Sequence, residues 1–168
     1  QHHIQSGVLP HSMSQKKFMR EAIKLAETGL RAQRGGPFGC VVVRKGKVIG
    51  RGHNCVSATN DPTAHAEVVA IRDACAARGT FRLDDCELYT SCEPCPMCLA
   101  AIYWARIPKV FFGNTGAAAA AIGFDDDFIY RQLALPPARR TITMKPLLRD
   151  EAIGTFRKWT AKKDKVKY

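Results

Sequence analysis

No apolar run in the 168-residue sequence approaches the roughly 20 residues that a membrane-crossing helix needs. The N-terminus also lacks an apolar stretch long enough to serve as a secretory signal. No internal repeat is visible. Acidic side chains are scarce, 15 against 26 Lys and Arg, and the net charge is +11. The cysteine count of seven is odd. With no export signal it argues against a disulfide framework and for reduced thiols, some of them metal-bound, in a cytoplasmic protein.

What is present fits one globular domain: 46% hydrophobic and 24% charged residues in a chain long enough to bury a core. Residues 1–12, with His2-His3, read as a tag remnant or disordered leader, leaving 13–168 as the domain. The positive charge invites a nucleic-acid partner, but its distribution speaks against one. Residues 1–130 hold 15 basic and 12 acidic side chains, a balance of +3, whereas 131–168 hold 11 and 3, a balance of +8. Charge gathered at one end is the mark of a solvated helix more often than of a binding face.

Apolar positions at helical spacing from Phe18 to Leu30 predict a helix over 14–32. Gly35-Gly36-Pro37 ends it. Two strands, 38–43 and 48–55, follow around a hairpin turn. Asp61-Pro62 reads as a cap and first turn for a helix over 63–78. A strand at 86–90, a helix at 95–106 and a strand at 109–113 come next, then an alanine-rich helix at 117–121. Ile142–Lys145 is the expected fifth strand and 147–163 a last amphipathic helix. The alternation predicts an α/β three-layer sandwich, a five-stranded mixed sheet between helices.

Two segments carry chemistry. Thr63-Ala64-His65-Ala66-Glu67 and Glu93-Pro94-Cys95-Pro96-Met97-Cys98 each fall at a predicted helix start. Cys95 and Cys98, three apart, share one helix face. The positive end of the helix dipole favours thiolates there. One imidazole and two thiolates make three corners of a tetrahedron, the ligand number of a catalytic zinc that keeps its fourth corner for water. Glu67 is then the proton shuttle for that water, whose pKa zinc lowers to about 7. Singly, each residue has an ordinary role: His65 as a cap or core residue, Glu67 as a first-turn acid, Cys-x-x-Cys as a redox pair. Together they match the His-x-Glu…Pro-Cys-x-x-Cys signature of zinc nucleobase deaminases. Cys92 also precedes Cys95 by three and reads as a structural thiol. Cys40, Cys55, Cys75 and Cys86 read as core residues.

From Phe18 to Tyr168 the sequence resembles bacterial guanine deaminases of the cytidine-deaminase-like superfamily. The shared pieces are GGPFG (35–39), NDPTAHAEVVAIRDAC (60–75), LYTSCEPCPMCLAAIYWAR (88–106) and GFDDDFIY (123–130), with a lysine-rich end closed by Tyr168. The resemblance implies hydrolysis of guanine to xanthine and ammonia, zinc-bound hydroxide attacking C2. It implies zinc on His65, Cys95 and Cys98, with Glu67 catalytic. Asn54 is expected to hydrogen-bond the purine and Phe38 to stack on it. Asp126, its neighbours Asp125 and Asp127 being the competing choices, is expected near the departing amine. Trp104 and Tyr168 are further expected substrate contacts. Tyr168 belongs to a C-terminal lid that similar proteins sometimes supply from the partner of an exchanged homodimer.

Three other readings stay open at this point. They are an adenosine deaminase acting on tRNA, which the basic C-terminus would suit, a guanosine deaminase, and a non-enzymatic zinc module. The last predicts a closed site with Cys92 as fourth thiolate.

Overall fold

A computed structural model describes residues 11–168. Its elements are α1 (His11–Arg31), β1 (Gly39–Arg44), β2 (Lys47–His53), α2 (Val56–Thr59), α3 (Ala66–Arg78), β3 (Cys86–Cys92), α4 (Pro96–Ala105), β4 (Lys109–Asn114), α5 (Gly116–Ala121), α6 (Asp126–Ala134) and α7 (Arg149–Ala161). A 3-10 turn covers Pro137–Arg139. The expected leader lies outside the described residues except for positions 11 and 12, which open α1.

The sheet order is β2-β1-β3-β4. β1 runs antiparallel to β2 and β3, and β3 is parallel to β4. Side chains alternate across β1 as the pleat requires. Val41 and Val43 pack with Phe18 and Tyr89, and Met19 and Leu25 of α1 close over them. Cys40 and Val42 face Ala66, Ala70 and Ala74 of α3 and Ile102 and Ala105 of α4. One helix thus covers one face and two cover the other, the expected three layers. Burying a side chain such as Phe18 or Leu88 contributes about 1.5–3 kcal/mol.

Among the described residues the sheet is mixed, as expected, but has four strands, not five. Ile142–Lys145 is irregular chain, and Ile142 and Met144 are exposed. β-branched and apolar residues favour a strand only where a partner offers a ladder and a face to pack on, and among the described residues that stretch has neither.

The start of α3, beside the functional residues, also differs from expectation. Asp61 does not cap a helix beginning at Thr63. Its Oδ1 accepts the backbone N–H (2.9 Å) and hydroxyl (2.6 Å) of Thr63. That local bond competes with helix formation, so α3 begins three residues later with His65 as its N-cap. Gly52 fixes where this helix end sits: a Cβ there would lie 2.4 Å from the Ala66 carbonyl oxygen and 2.6 Å from the Ala70 nitrogen. The first turn of α3 is therefore pressed onto the backbone of β2.

Residues 127–168 form a second compact unit. Arg140 clasps the end of α6, donating from Nε to the carbonyls of Gln132 and Leu135 (both 3.1 Å) and from Nη2 to that of Leu133 (3.3 Å). This satisfies carbonyls that a helix C-terminus leaves without partners. α7 has no buried residue, and Leu147, Phe156 and Tyr168 are exposed.

Candidate metal centre and cavity

Two helix starts bring three soft or borderline donors together. His65 is the N-cap of α3 and Cys95 the N-cap of α4, with Pro96 in the first turn behind it. Both caps have extended backbone, so their side chains turn back over the helix ends. Cys98 is fully buried in the first turn of α4, and its backbone N–H donates to Cys95 Sγ at 3.4 Å. His65 Nδ1 stands 3.5 Å from Cys95 Sγ and 3.5 Å from Cys98 Sγ. A tetrahedral zinc with Zn–N near 2.05 Å and Zn–S near 2.3 Å requires an N···S edge of about 3.6 Å. The donors already stand at that spacing.

Among the described residues the donor group is His65, Cys95 and Cys98, with all ligand atoms within 4.8 Å of one another. Cys92 is not part of it. It ends β3, and its thiol points to the carbonyl of Thr115 at 3.8 Å. Among the described residues the group thus offers three donors, the number a catalytic zinc site provides.

His65 and Cys95 border a cavity of about 530 Å³, of a size that encloses a small heterocycle. Phe38, Asn54, His65, Glu67, Cys92, Glu93, Cys95, Phe124 and Asp126 line it. The rings of Phe38 and Phe124 meet edge to face, with centroids 4.9 Å apart at 85°. Asn54, 5% exposed, accepts the Val56 N–H on Oδ1 at 3.0 Å. This settles which way its amide faces and leaves Nδ2 as a donor beside the cavity. Gly35 makes room: a Cβ there would lie 2.1 Å from Asn54 Oδ1. Glu67, also 5% exposed, takes a 2.6 Å hydrogen bond on Oε1 from the hydroxyl of Thr90.

The electrostatics suit a cation. The Cys95 thiol is held well below the usual range, first by the hydrogen bond from the Cys98 thiol and then by His65 and the Cys98 N–H, against the effect of burial. Cys98 is pushed up because it gives that proton and is buried. His65 is pushed up by its bond to Cys95. A lowered thiol beside a protonatable imidazole suits a divalent cation, which would take the place of the protons. Asp126 is raised, by burial first and then by the Cys95 charge. Cys92 is pushed up to about 11, chiefly by burial, and stays a thiol.

The family model of the cytidine and deoxycytidylate deaminase zinc-binding region matches residues 12–114. The chain belongs to this deaminase family. It is 49% identical over 156 residues to guanine deaminase of Bacillus subtilis, covering 93% of this chain and all of that protein. An X-ray structure of guanine deaminase from Bacillus subtilis superposes with a TM-score of 0.89 at 48% identity, covering 95% of this chain and 99% of that one. A tRNA-specific adenosine deaminase of Streptococcus pyogenes is 45% identical over 106 residues, 62% of this chain and 66% of that protein. Zinc is the metal of the family's matched region, and the donor spacing here fits it.

Of the residues expected of such a deaminase, the structure gathers His65, Cys95, Cys98, Glu67, Asn54, Phe38 and Asp126 at one place. Trp104 stands 64% exposed near the end of α4, outside the cavity lining. Tyr168 belongs to the second unit. Several cavity residues escaped the sequence reading of the deaminase, Phe124, Glu93 and Gly35 among them. Phe124 lay inside the quoted Gly-Phe-Asp-Asp stretch, where only the acids were weighed. Glu93, whose Oε1 accepts the Gly116 N–H at 2.8 Å, looked like part of the cysteine motif. Gly35 was taken as a helix breaker. Behind the cavity wall, Thr90 is indistinguishable in sequence from any strand threonine.

Proposed function

We propose that this protein is a zinc-dependent aminohydrolase that converts guanine and water to xanthine and ammonia. The carrying observation is a three-donor set at a cavity that also holds Glu67 and Asp126. The substrate follows from extent of likeness. The tRNA deaminase match covers 62% of the chain, while the guanine deaminase match covers 93% and so runs on into residues 127–168.

His65 Nδ1, Cys95 Sγ and Cys98 Sγ would hold the zinc, which when bound supplies the Lewis acidity that makes water a nucleophile near neutral pH. Asn54 Nδ2 donates to an acceptor on the purine edge, and Phe38, in edge-to-face contact with Phe124, stacks on the ring. As water oxygen adds at C2, Glu67 takes one of its protons and gives it to the adjacent ring nitrogen. The C2–N bond then breaks. The second water proton reaches the amine through the carboxylates, so that ammonia leaves and a C2 carbonyl remains. Asp126, with its pKa raised by burial, is suited to hold the amine N–H groups and hand over that proton.

Residues 127–168 serve in this reading as a lid, Tyr168 included, and as the segment exchanged in a homodimer to which Trp104 also contributes a substrate contact. A helix without one buried residue supports association with a second copy. A monomer in sedimentation at micromolar concentration, with full turnover, would remove the dimer. Seven unbridged thiols support a cytoplasmic setting. Among the described residues no helix is long and apolar enough to cross a membrane.

The test is ammonia release from guanine, guanosine and adenosine-bearing tRNA by protein of known zinc content. Guanine should be turned over fastest. Inosine formation in tRNA with guanine left intact would overturn the assignment, and preference for guanosine would show a cavity open to ribose.

A further inference from the structure

β3 carries a hydroxyl where its neighbours are apolar. Leu88, Thr90 and Cys92 lie on one side of the strand, and Thr90 pairs across the ladder with Cys40; both Thr90 and Cys40 are 0% exposed. A hydroxyl taken out of water without a partner costs on the order of 1–3 kcal/mol, so its bonds decide why it is tolerated. It has two oxygen neighbours: Glu67 Oε1 at 2.6 Å and the carbonyl of Cys92 at 3.1 Å. Both are acceptors while Glu67 is ionised, and Thr90 has one proton to give. The shorter distance is that of a charge-assisted O–H···O bond. Threonine is also stiff about χ1, so the hydroxyl cannot follow the carboxylate if it swings away.

We propose that Thr90 is a positioning residue for Glu67, tethering Oε1 so that the carboxylate meets water and ring nitrogen in one fixed orientation. The proposal rests on the reading of Glu67 as the proton carrier. The Cys92 carbonyl, 3.1 Å away, is the second oxygen beside the hydroxyl. That carbonyl belongs to the last residue of β3, three positions before the ligand Cys95, so the tether ties the carboxylate to the strand end that leads into the metal ligands.

The test compares Thr90→Val, which keeps the shape and removes the hydroxyl, with Thr90→Ser, which keeps the hydroxyl and removes the methyl. Zinc content and guanine kinetics are measured on both. The expected result for Thr90→Val is a kcat lower by about 10- to 100-fold, the span of one hydrogen bond to a charged group, with KM changed less than about 3-fold and zinc still stoichiometric. Thr90→Ser should recover most of the rate. A Thr90→Val enzyme with wild-type kcat, or valine and serine variants that fall together, would overturn the proposal. Should the valine variant fail to fold, Thr90→Ala against Thr90→Ser isolates the same oxygen, and equal rates refute the tether. Glu67→Gln, run alongside, separates the two claims. If that variant stays active, the reading of Glu67 fails and the tether with it. If it is inactive while Thr90→Val is not, only the tether fails.

Discussion

Replacing Asn54 by Asp and by Ala should move stability and activity in opposite orders. Its amide is split between two tasks. Oδ1 accepts the Val56 N–H at 3.0 Å, in a place so tight that Gly35 beside it can carry no side chain, and Nδ2 is left to the cavity. Asn54→Asp keeps the acceptor and the volume but turns the cavity-facing donor into an oxygen. Asn54→Ala removes both. The alanine variant therefore loses one hydrogen bond to a half-buried N–H, about 0.5–1.5 kcal/mol, or roughly 2–5 °C in Tm for a chain of this size. The aspartate variant keeps that bond, with its new oxygen facing the cavity, and should melt above the alanine variant. For catalysis the order inverts. Losing a neutral donor to the purine costs about 10-fold in kcat/KM. Setting a carboxylate against a ring acceptor costs about 10³-fold or more, because a buried mismatch leaves both partners unsatisfied. Xanthine formation at pH 8 and thermal melts of the two zinc-loaded variants are the assays. An aspartate variant at least as active as the alanine one would refute the assignment of Nδ2 to the substrate. An alanine variant that melts with the wild type would refute the Val56 bond.

Asp126→Asn should lower guanine turnover by about 10²- to 10⁴-fold, the range of a lost acid–base group, with zinc content unchanged; full turnover would take Asp126 out of the mechanism. Chelation should abolish activity and leave far-UV circular dichroism unaltered, with recovery on adding zinc; unfolding on chelation would show a structural metal. Asp85→Asn addresses pH. Bonds from Arg44 first, and also from Arg78, hold the Asp85 carboxyl well below its usual value. A depressed folded-state pKa means stability that is present above about pH 4 and lost as pH falls through the lower folded value. Urea midpoints should thus differ between Asp85→Asn and wild type at pH 7 and converge below pH 4. A gap of constant size down to pH 2 would contradict the ion-pair origin.

The layered fold was legible because its signals are local. Helical spacing from Phe18 to Leu30 and the alternation of Val41 and Val43 against Cys40 and Val42 follow the pleat and the helical turn. The metal donors were legible because Cys-x-x-Cys and His-x-Glu concern spacings within one turn. What failed needed knowledge of neighbours. The Asp61–Thr63 turn displaced the start of α3 by three residues, since a short side chain satisfied the backbone before the helix could. Ile142–Lys145 had the residue types of a strand without a ladder to join. Thr90 lies 23 positions from Glu67, and no spacing rule reaches that far.

The displaced helix start has a chemical consequence. Had α3 begun at Thr63, His65 would have had helical backbone inside the first turn, with its ring carried along the helix side. As the N-cap, with φ −71° and ψ 155°, it turns its ring toward the start of α4 instead, where Cys95 occupies the same kind of cap. The same reasoning decides among the cysteines. Cys92, Cys95 and Cys98 are equally spaced in sequence, yet Cys92 is the last residue of a strand, Cys95 a cap and Cys98 a first-turn residue. Strand pleat sends the Cys92 thiol to the Thr115 carbonyl, while the helix turn brings the other two sulfurs to one imidazole. Backbone geometry, and not the chemistry of a third thiol, thus sets Cys92 apart from the donor group. Three donors match the number a catalytic zinc site provides, whereas a structural module would need the fourth that Cys92 is not placed to supply.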